Sequence, residues 1–333
     1  MTATPLFFLL PLIVLACAST PSGPTAHNAL RAGFTQGDRD VWFEQRVRLL
    51  TADDGWLTLV GLDFLTDGVF TIGSDPACTL RYAHASAGCI GAFTVQEDSI
   101  SFRARVPDVT LDGVPCADRE CALVVDDRGT PSVLRNGPLM ITAVRRNGAL
   151  ALRVRDNASA IRSQFDGLEL FAFDPILVVE GTVVEGSVVE GSVVEGSVVE
   201  GTVLGSTVAD ALAAETTVAI TNVMGFVETQ PIAARLRLQV HGIECELVAT
   251  PGANGRLFVV FGDTTYGTET YGGGRFLDIE KPVGGRTTID FNRATNPPCA
   301  FTAFATCPTP PAMNRLPLAI RAGERAAASH KAD

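Results

Sequence analysis

The sequence predicts a mainly β protein: two β-rich, sandwich- or barrel-like portions, with one N-terminal amphipathic helix and a long irregular C-terminal segment. Three observations carry this. Between residues 56 and 290, short apolar runs are separated by Gly, Pro, Asp and Asn, the spacing of strands joined by turns. Residues 38–51 carry Trp42, Phe43, Val47, Leu49 and Leu50 at helical intervals, with Asp38 as the expected N-cap. From residue 261 onwards, polar and aromatic residues cluster with Gly and Pro in neither the strand nor the helix period.

Before the helix, Leu6 to Leu15 form an apolar run too short to cross a bilayer and ending in small residues, as in a signal peptide. Val14-Leu15-Ala16-Cys17 follows the order of a bacterial lipobox, so Cys17 is expected to carry a lipid and residues 1–17 to be the signal segment. No Lys or Arg precedes Cys17, and an ordinary secretory cut near Ala18 is the competing expectation. Residues 18–36 are rich in Ser, Thr, Pro, Ala and Gly and read as a tether. Residues 326–333 read as a disordered tail.

A first portion, residues 37–160, holds the helix and strands expected at 56–60, 69–72, 100–106, 122–125, 139–144 and 150–154, with the helix packed on their sheet. Phe70-Thr71-Ile72-Gly73-Ser74-Asp75-Pro76 is similar to the opening of phosphothreonine-binding forkhead-associated sandwiches. It lacks the Arg beside the Gly, and no Ser-x-x-His follows. The sandwich is therefore expected and phosphopeptide binding is not, because phosphate has no bidentate partner.

The second portion, residues 161–325, contains five tandem copies of Val-Val-Glu-Gly-Ser/Thr between Val178 and Thr202. A five-residue period turns successive Glu side chains to opposite faces of a strand, so the copies read as a loop expansion or strand extension. Residues 235–240 and 243–248 alternate around His241-Gly242 as a two-residue hairpin. Further strands are expected at 257–261, 276–279 and 287–290.

A net charge of -11, with no Lys/Arg cluster among aromatics, excludes nucleic acid as the main partner. Acidity also rules out electrostatic docking on anionic lipid, leaving a covalent lipid as the route to a membrane. Export places the seven cysteines after Cys17 in an oxidising compartment. The expected pairs are Cys78/Cys89, Cys116/Cys121 and Cys299/Cys307, with Cys245 a buried thiol. No metal or other cofactor is expected: there is no Cys-x-x-Cys, and His27, His84, His241 and His330 are scattered.

The C-terminal third contains Phe261-Gly262-Asp263-Thr264-Thr265, Glu269 to Asp278, and Asp290-Phe291-Asn292-Arg293-Ala294-Thr295-Asn296-Pro297-Pro298-Cys299. It goes on to Thr306-Cys307-Pro308, Asn314-Arg315-Leu316-Pro317 and Ile320 to Glu324. Together with Arg46, Asp54 to Leu62, Gly73 to Pro76 and Arg153 to Asp156, these stretches resemble the domain of unknown function 1684 family over roughly residues 40 to 325. The pentad expansion and the cysteines at 78, 89, 116, 121 and 245 depart from it. The resemblance implies shared architecture and no known reaction.

Within this third, Tyr271, Arg275, Asp290, Asn292, Arg293 and Asn296 are the expected ligand-binding groups, two Arg forks among hydrogen-bonding neighbours suited to a small anion. The competing expectation is a buried network that pins irregular backbone. Hydrolase chemistry would fall to Asp290 with Asp278 or Glu324, or to a Cys299 thiolate. A third expectation is a structural or partner-binding envelope protein using sheet edges or the pentad arm.

Overall fold

The computed structural model describes residues 35–117, 119–184 and 216–326. Cys17 and the expected signal segment, with most of the expected tether, the pentads and the tail, therefore lie outside the described residues.

Helix α1 (Gln36–Thr51) starts earlier than the expected cap. Thr35 is the N-cap: its hydroxyl accepts from Asp38 N–H, and the Asp38 carboxylate accepts from Thr35 N–H in return. Asp38 is thus the third helical residue of a capping box rather than the cap. The helix also leaves the expected partner aside. Leu49 and Val41 face solvent while Arg39, Phe43 and Leu50 are buried. Arg39 donates to the Phe171 carbonyl and Arg46 to the Glu324 carboxylate, so α1 lies on the C-terminal segment, not on the first sheet. Its inward face is partly cationic, which apolar periodicity alone does not register.

The first portion comprises β1 (Leu59–Phe64), β2 (Gly68–Gly73), β3 (Leu80–Arg81), β4 (Gly91–Gln96), β5 (Ser99–Ala104), β6 (Thr110–Leu111), β7 (Val114–Pro115), β8 (Glu120–Ala122), β9 (Val133–Asn136), β10 (Leu139–Arg146) and β11 (Ala149–Asp156). They form two sheets, β1-β11-β10-β9-β6-β7 and β3-β2-β4-β5-β8, with β2-β3 parallel. One apolar core lies between them, filled by Ile72, Phe93, Phe102, Leu134, Ile141 and Leu152 among others. Strand alternation explains the layering. On β11, Leu150, Leu152 and Val154 enter this core, while the guanidiniums of Arg153 and Arg155 sit against the Trp56 ring. Trp56 belongs to a 3-10 turn, Trp56–Thr58, instead of starting the strand.

Connector helix α2 (Ala160–Ser163) leads to β12 (Val178–Val183), β13 (Thr217–Thr221), β14 (Val227–Pro231), β15 (Ala234–Val240), β16 (Ile243–Pro251), β17 (Leu257–Phe261), β18 (Arg275–Ile279) and β19 (Arg286–Asp290). Six of them form a curved sheet, β18-β17-β16-β15-β12-β19, and β13-β14 is a separate hairpin packed over Val248. The expected turn joins β15 to β16, with His241 at φ 50° and Gly242 at φ 79°. The first pentad copy is β12 itself, an inner strand between β15 and β19. Gly181 lets the buried Ile289 side chain close on this strand, since a Cβ would stand 2.7 Å from Ile289 Cδ1. Among the described residues no helix is long and apolar enough to cross a membrane.

None of the three expected disulfides is formed. Cys78 and Cys89, Cys116 and Cys121, and Cys299 and Cys307 are free thiols, as is Cys245. A disulfide brings its sulfurs to about 2.0 Å; Cys116 Sγ and Cys121 Sγ face each other at 2.8 Å, buried in the first core. Cys78 Sγ donates to the Gly88 carbonyl at 3.2 Å and Cys89 Sγ to the Gly91 carbonyl at 3.6 Å. The buried Cys245 is as expected.

Candidate functional site

Irregular backbone must find partners for its N–H and C=O groups, and residues 290–325 do so through a few buried side chains. Arg275, 1% exposed, donates to the carbonyls of Ala322 and Ile320 and pairs with Asp263 at 3.4 Å. Asp263 also accepts from Ile320 N–H and the Thr265 hydroxyl. Burial pulls the Arg275 guanidinium down to about 10, against the attraction of Asp263 and Glu324. Asn292 is fully buried; its amide exchanges two hydrogen bonds with the Asp174 backbone and donates to Asp290. Asp290 pairs with Arg293 at 3.4 Å, and burial raises its carboxyl despite Asn292, Arg293 and Arg39. Gly274 lets the backbone pass close to Pro310, with φ 87° and a Cβ position 2.4 Å from Pro310 Cγ.

Arg275, Asp290 and Asn292 are therefore pins and not ligand-binding groups: their donors and acceptors are engaged within the protein. Glu324, wholly buried, accepts from Arg46 Nε at 3.2 Å and Asn296 N–H at 2.7 Å. Burial pushes its carboxyl above the usual value near 4.5, opposed by Arg46, Asn296 and Arg275. Because the folded value is the higher one, stability from this group is full below about 4.5 and is lost as pH rises through the folded value. Glu324→Gln has no proton to lose, so its unfolding free energy should decline less than wild type over that interval. Parallel curves in a urea series at stepped pH would overturn the assignment.

The open space lies beside this network. A cleft of about 800 Å³ is bounded by Leu57, by Ile161 of α2 and residues 164–169 after it, by Asn296, Cys299 and residues 301–304, and by Arg325. Phe165 and Phe301 meet edge to face at 6.4 Å. The 299–304 wall is set by several contacts: Tyr271 OH donates to the Cys299 carbonyl, Thr302 Oγ1 to the Leu59 carbonyl, and Phe304 N–H to Thr302 Oγ1. Burial lifts the Tyr271 phenol to about 12, so it stays a donor.

Asn296, 2% exposed, is held at three points. Its N–H goes to Glu324, its carbonyl accepts from Arg46, and Nδ2 donates to the Arg325 carbonyl at 2.7 Å. A carbonyl only accepts, so the remaining amide atom must be Oδ1. That buried Oδ1 has no donor among the described residues, and neither has Arg325 Nε an acceptor. The Arg325 guanidinium rests over the Phe171 ring at 5.2 Å.

Of the expected residues, only Asn296 and Cys299 line this cleft; Tyr271 supports it from behind. Arg325, Phe165, Phe301, Arg46 and Asp263 join the site or its frame without having been expected as site residues. Asp263 and Glu324 do stand in the polar clusters that mark the segment. No three His, Cys, Asp or Glu side chains among the described residues gather to hold a metal.

Residues 163–325 match the family model described as protein of unknown function (DUF1684). The match takes in the second sheet, the pinning network apart from Arg39 and Arg46, and the cleft residues from 164 onwards, while residues 40–162 lie outside it. No curated protein matches the chain. An uncharacterized protein of Haloarcula marismortui, solved by solution NMR, is 29% identical over 49% of this chain and 78% of its own, with a TM-score of 0.35.

Proposed function

We propose that this chain is an exported, lipid-anchored module that binds a small anionic molecule in the cleft between residues 161–169 and 296–304. The carrying observation is Asn296: three of its polar groups are fixed by protein partners, and a buried acceptor is left beside a cleft of ligand size. A ligand hydroxyl or N–H would satisfy Oδ1, and a carboxylate or similar group would meet Arg325. Phe165 and Phe301 offer apolar walls for its body. Asp166 and Glu169 stand at the rim and disfavour a polyanion, so the matching ligand is a monoanion with donor groups.

The test is a thermal-shift screen of the chain from Ser19, run with carboxylate metabolites and acidic sugars. At a hundredfold excess over Kd a true ligand should stabilise the fold by about 2.7 kcal/mol. The shift should vanish in Arg325→Ala and survive in Arg293→Ala. A shift lost only in Arg293→Ala would move the site to the pinning network, and no shift with any compound would overturn the binding reading. A hydrolase built on Asp290 and Glu324 has less support, because both carboxylates are taken up by protein partners.

Anchoring rests on the Leu6 to Leu15 run and the Val14-Leu15-Ala16-Cys17 order. Mass spectrometry of the native N-terminal peptide should find an acylated Cys17. An unmodified N-terminus downstream of it would remove the anchor.

A further inference from the structure

Cys299 and Cys307 face each other across one wall of the cleft. Cys299 N–H donates to Cys307 Sγ at 3.2 Å and Cys307 N–H to Cys299 Sγ at 3.3 Å, and the Cys299 thiol donates to the Ala305 carbonyl at 3.3 Å. The chain between them supplies Phe301, Thr302 and Phe304 to the cleft lining. Cys299 itself lines the cleft and Cys307 does not. Neither Cys116 with Cys121 nor Cys78 with Cys89 borders that space.

We propose that Cys299 and Cys307 are a thiol–disulfide pair worked through the cleft, with Cys299 the sulfur that meets a small disulfide and Cys307 the sulfur that resolves it. The Cys299 thiolate attacks one sulfur of R–S–S–R, forming Cys299–S–S–R and releasing one R–S⁻. The Cys307 thiolate then attacks Cys299 Sγ, forming the Cys299–Cys307 bond and releasing the second R–S⁻. The two protons lost by the cysteines go to the two leaving thiolates, and the two electrons they lose reduce the small disulfide. Hydrogen bonds from Cys307 and the backbone hold the Cys299 thiol below its ordinary value, whereas the same contact and burial push Cys307 up. Cys299 borders the cleft and Cys307 does not, which is the placement an attacking and a resolving thiol require. The bond ties the two ends of the Phe301–Phe304 wall, and its ligand consequence, a pre-ordered wall, rests on the binding reading above.

Reduced full-length chain treated with oxidised glutathione, quenched in acid and alkylated tests this directly. Residues 294–315 form one tryptic peptide containing both cysteines, so the disulfide appears as the loss of two hydrogens from it. Cys307→Ser should accumulate a glutathione adduct on Cys299, while Cys299→Ser should leave Cys307 unmodified. Equal adduct on Cys307 in Cys299→Ser, or two alkylated thiols in treated wild type, would overturn the proposal. If the variants do not fold, timed iodoacetamide labelling of native wild type decides: Cys299 should react about tenfold faster than Cys307, and equal rates would refute the assignment. None of these readouts needs the cleft ligand, so a failed ligand screen and a failed disulfide are distinguishable.

Discussion

Arg275→Ala is expected to lower the unfolding free energy by about 3 to 5 kcal/mol, because it strands a buried carboxylate. Asp263 is as buried as Arg275, and without the guanidinium it keeps only Ile320 N–H and the Thr265 hydroxyl. The carbonyls of Ile320 and Ala322 lose their donor as well. The pinned strip 318–324 should loosen with it, giving faster amide exchange there. Pairing the change with Asp263→Leu removes the stranded charge, so the double variant should recover part of the loss. Urea unfolding of the three proteins checks this; a single variant within about 0.5 kcal/mol of wild type would mean the pair is not what holds the segment.

Asn314→Ala is the second large effect. β16 and β17 pair at Thr250↔Phe258 and Pro251↔Leu257, and continuing that register would bring Val248 opposite Val260. Asn314 enters instead. Its Oδ1 accepts from Val248 N–H, and Nδ2 donates to the carbonyls of Val248 and Val260. Leu316 N–H and the Asn314 carbonyl then bond Gly262, so residues 314–316 wedge the sheet open. Alanine leaves three buried backbone groups unpaired, each costing about 1 to 3 kcal/mol. A loss of at least about 3 kcal/mol is therefore expected. Asn314→Asp should not rescue it, since a carboxylate cannot donate to two carbonyls. Full stability of Asn314→Asp would show that the strands can close without the amide.

The strands legible in the sequence are the ones whose signal is local. β15 and β16 alternate around a turn that needs positive φ at two successive residues, and His241-Gly242 is a pair that tolerates it. β10 and β11 carry apolar residues on the core face and are readable for the same reason. β4 has no such flag, although it is an inner strand that supplies Phe93 to the core. β12 is obscured because its first five residues are one of five tandem copies, and only pairing with β15 and β19 identifies the copy that belongs to the sheet.

The C-terminal polar cluster shows the limit most clearly. Its composition announces that Arg, Asp and Asn residues matter, since irregular backbone cannot satisfy itself. Which of them are pins and which border open space depends on partners far away in the chain. Asn292 bonds Asp174, 118 residues distant, and Arg46 reaches Glu324, 278 residues distant. Hydrophobic period, turn chemistry and charge are properties of neighbouring residues, so the sequence by itself determined the β class, the hairpin, the helix and the acidic balance. Saturation of a hydrogen-bonding group is a property of the whole fold. Only the tertiary structure could therefore bury Arg275 against Asp263 and leave Asn296 Oδ1 with no donor among the described residues beside the cleft.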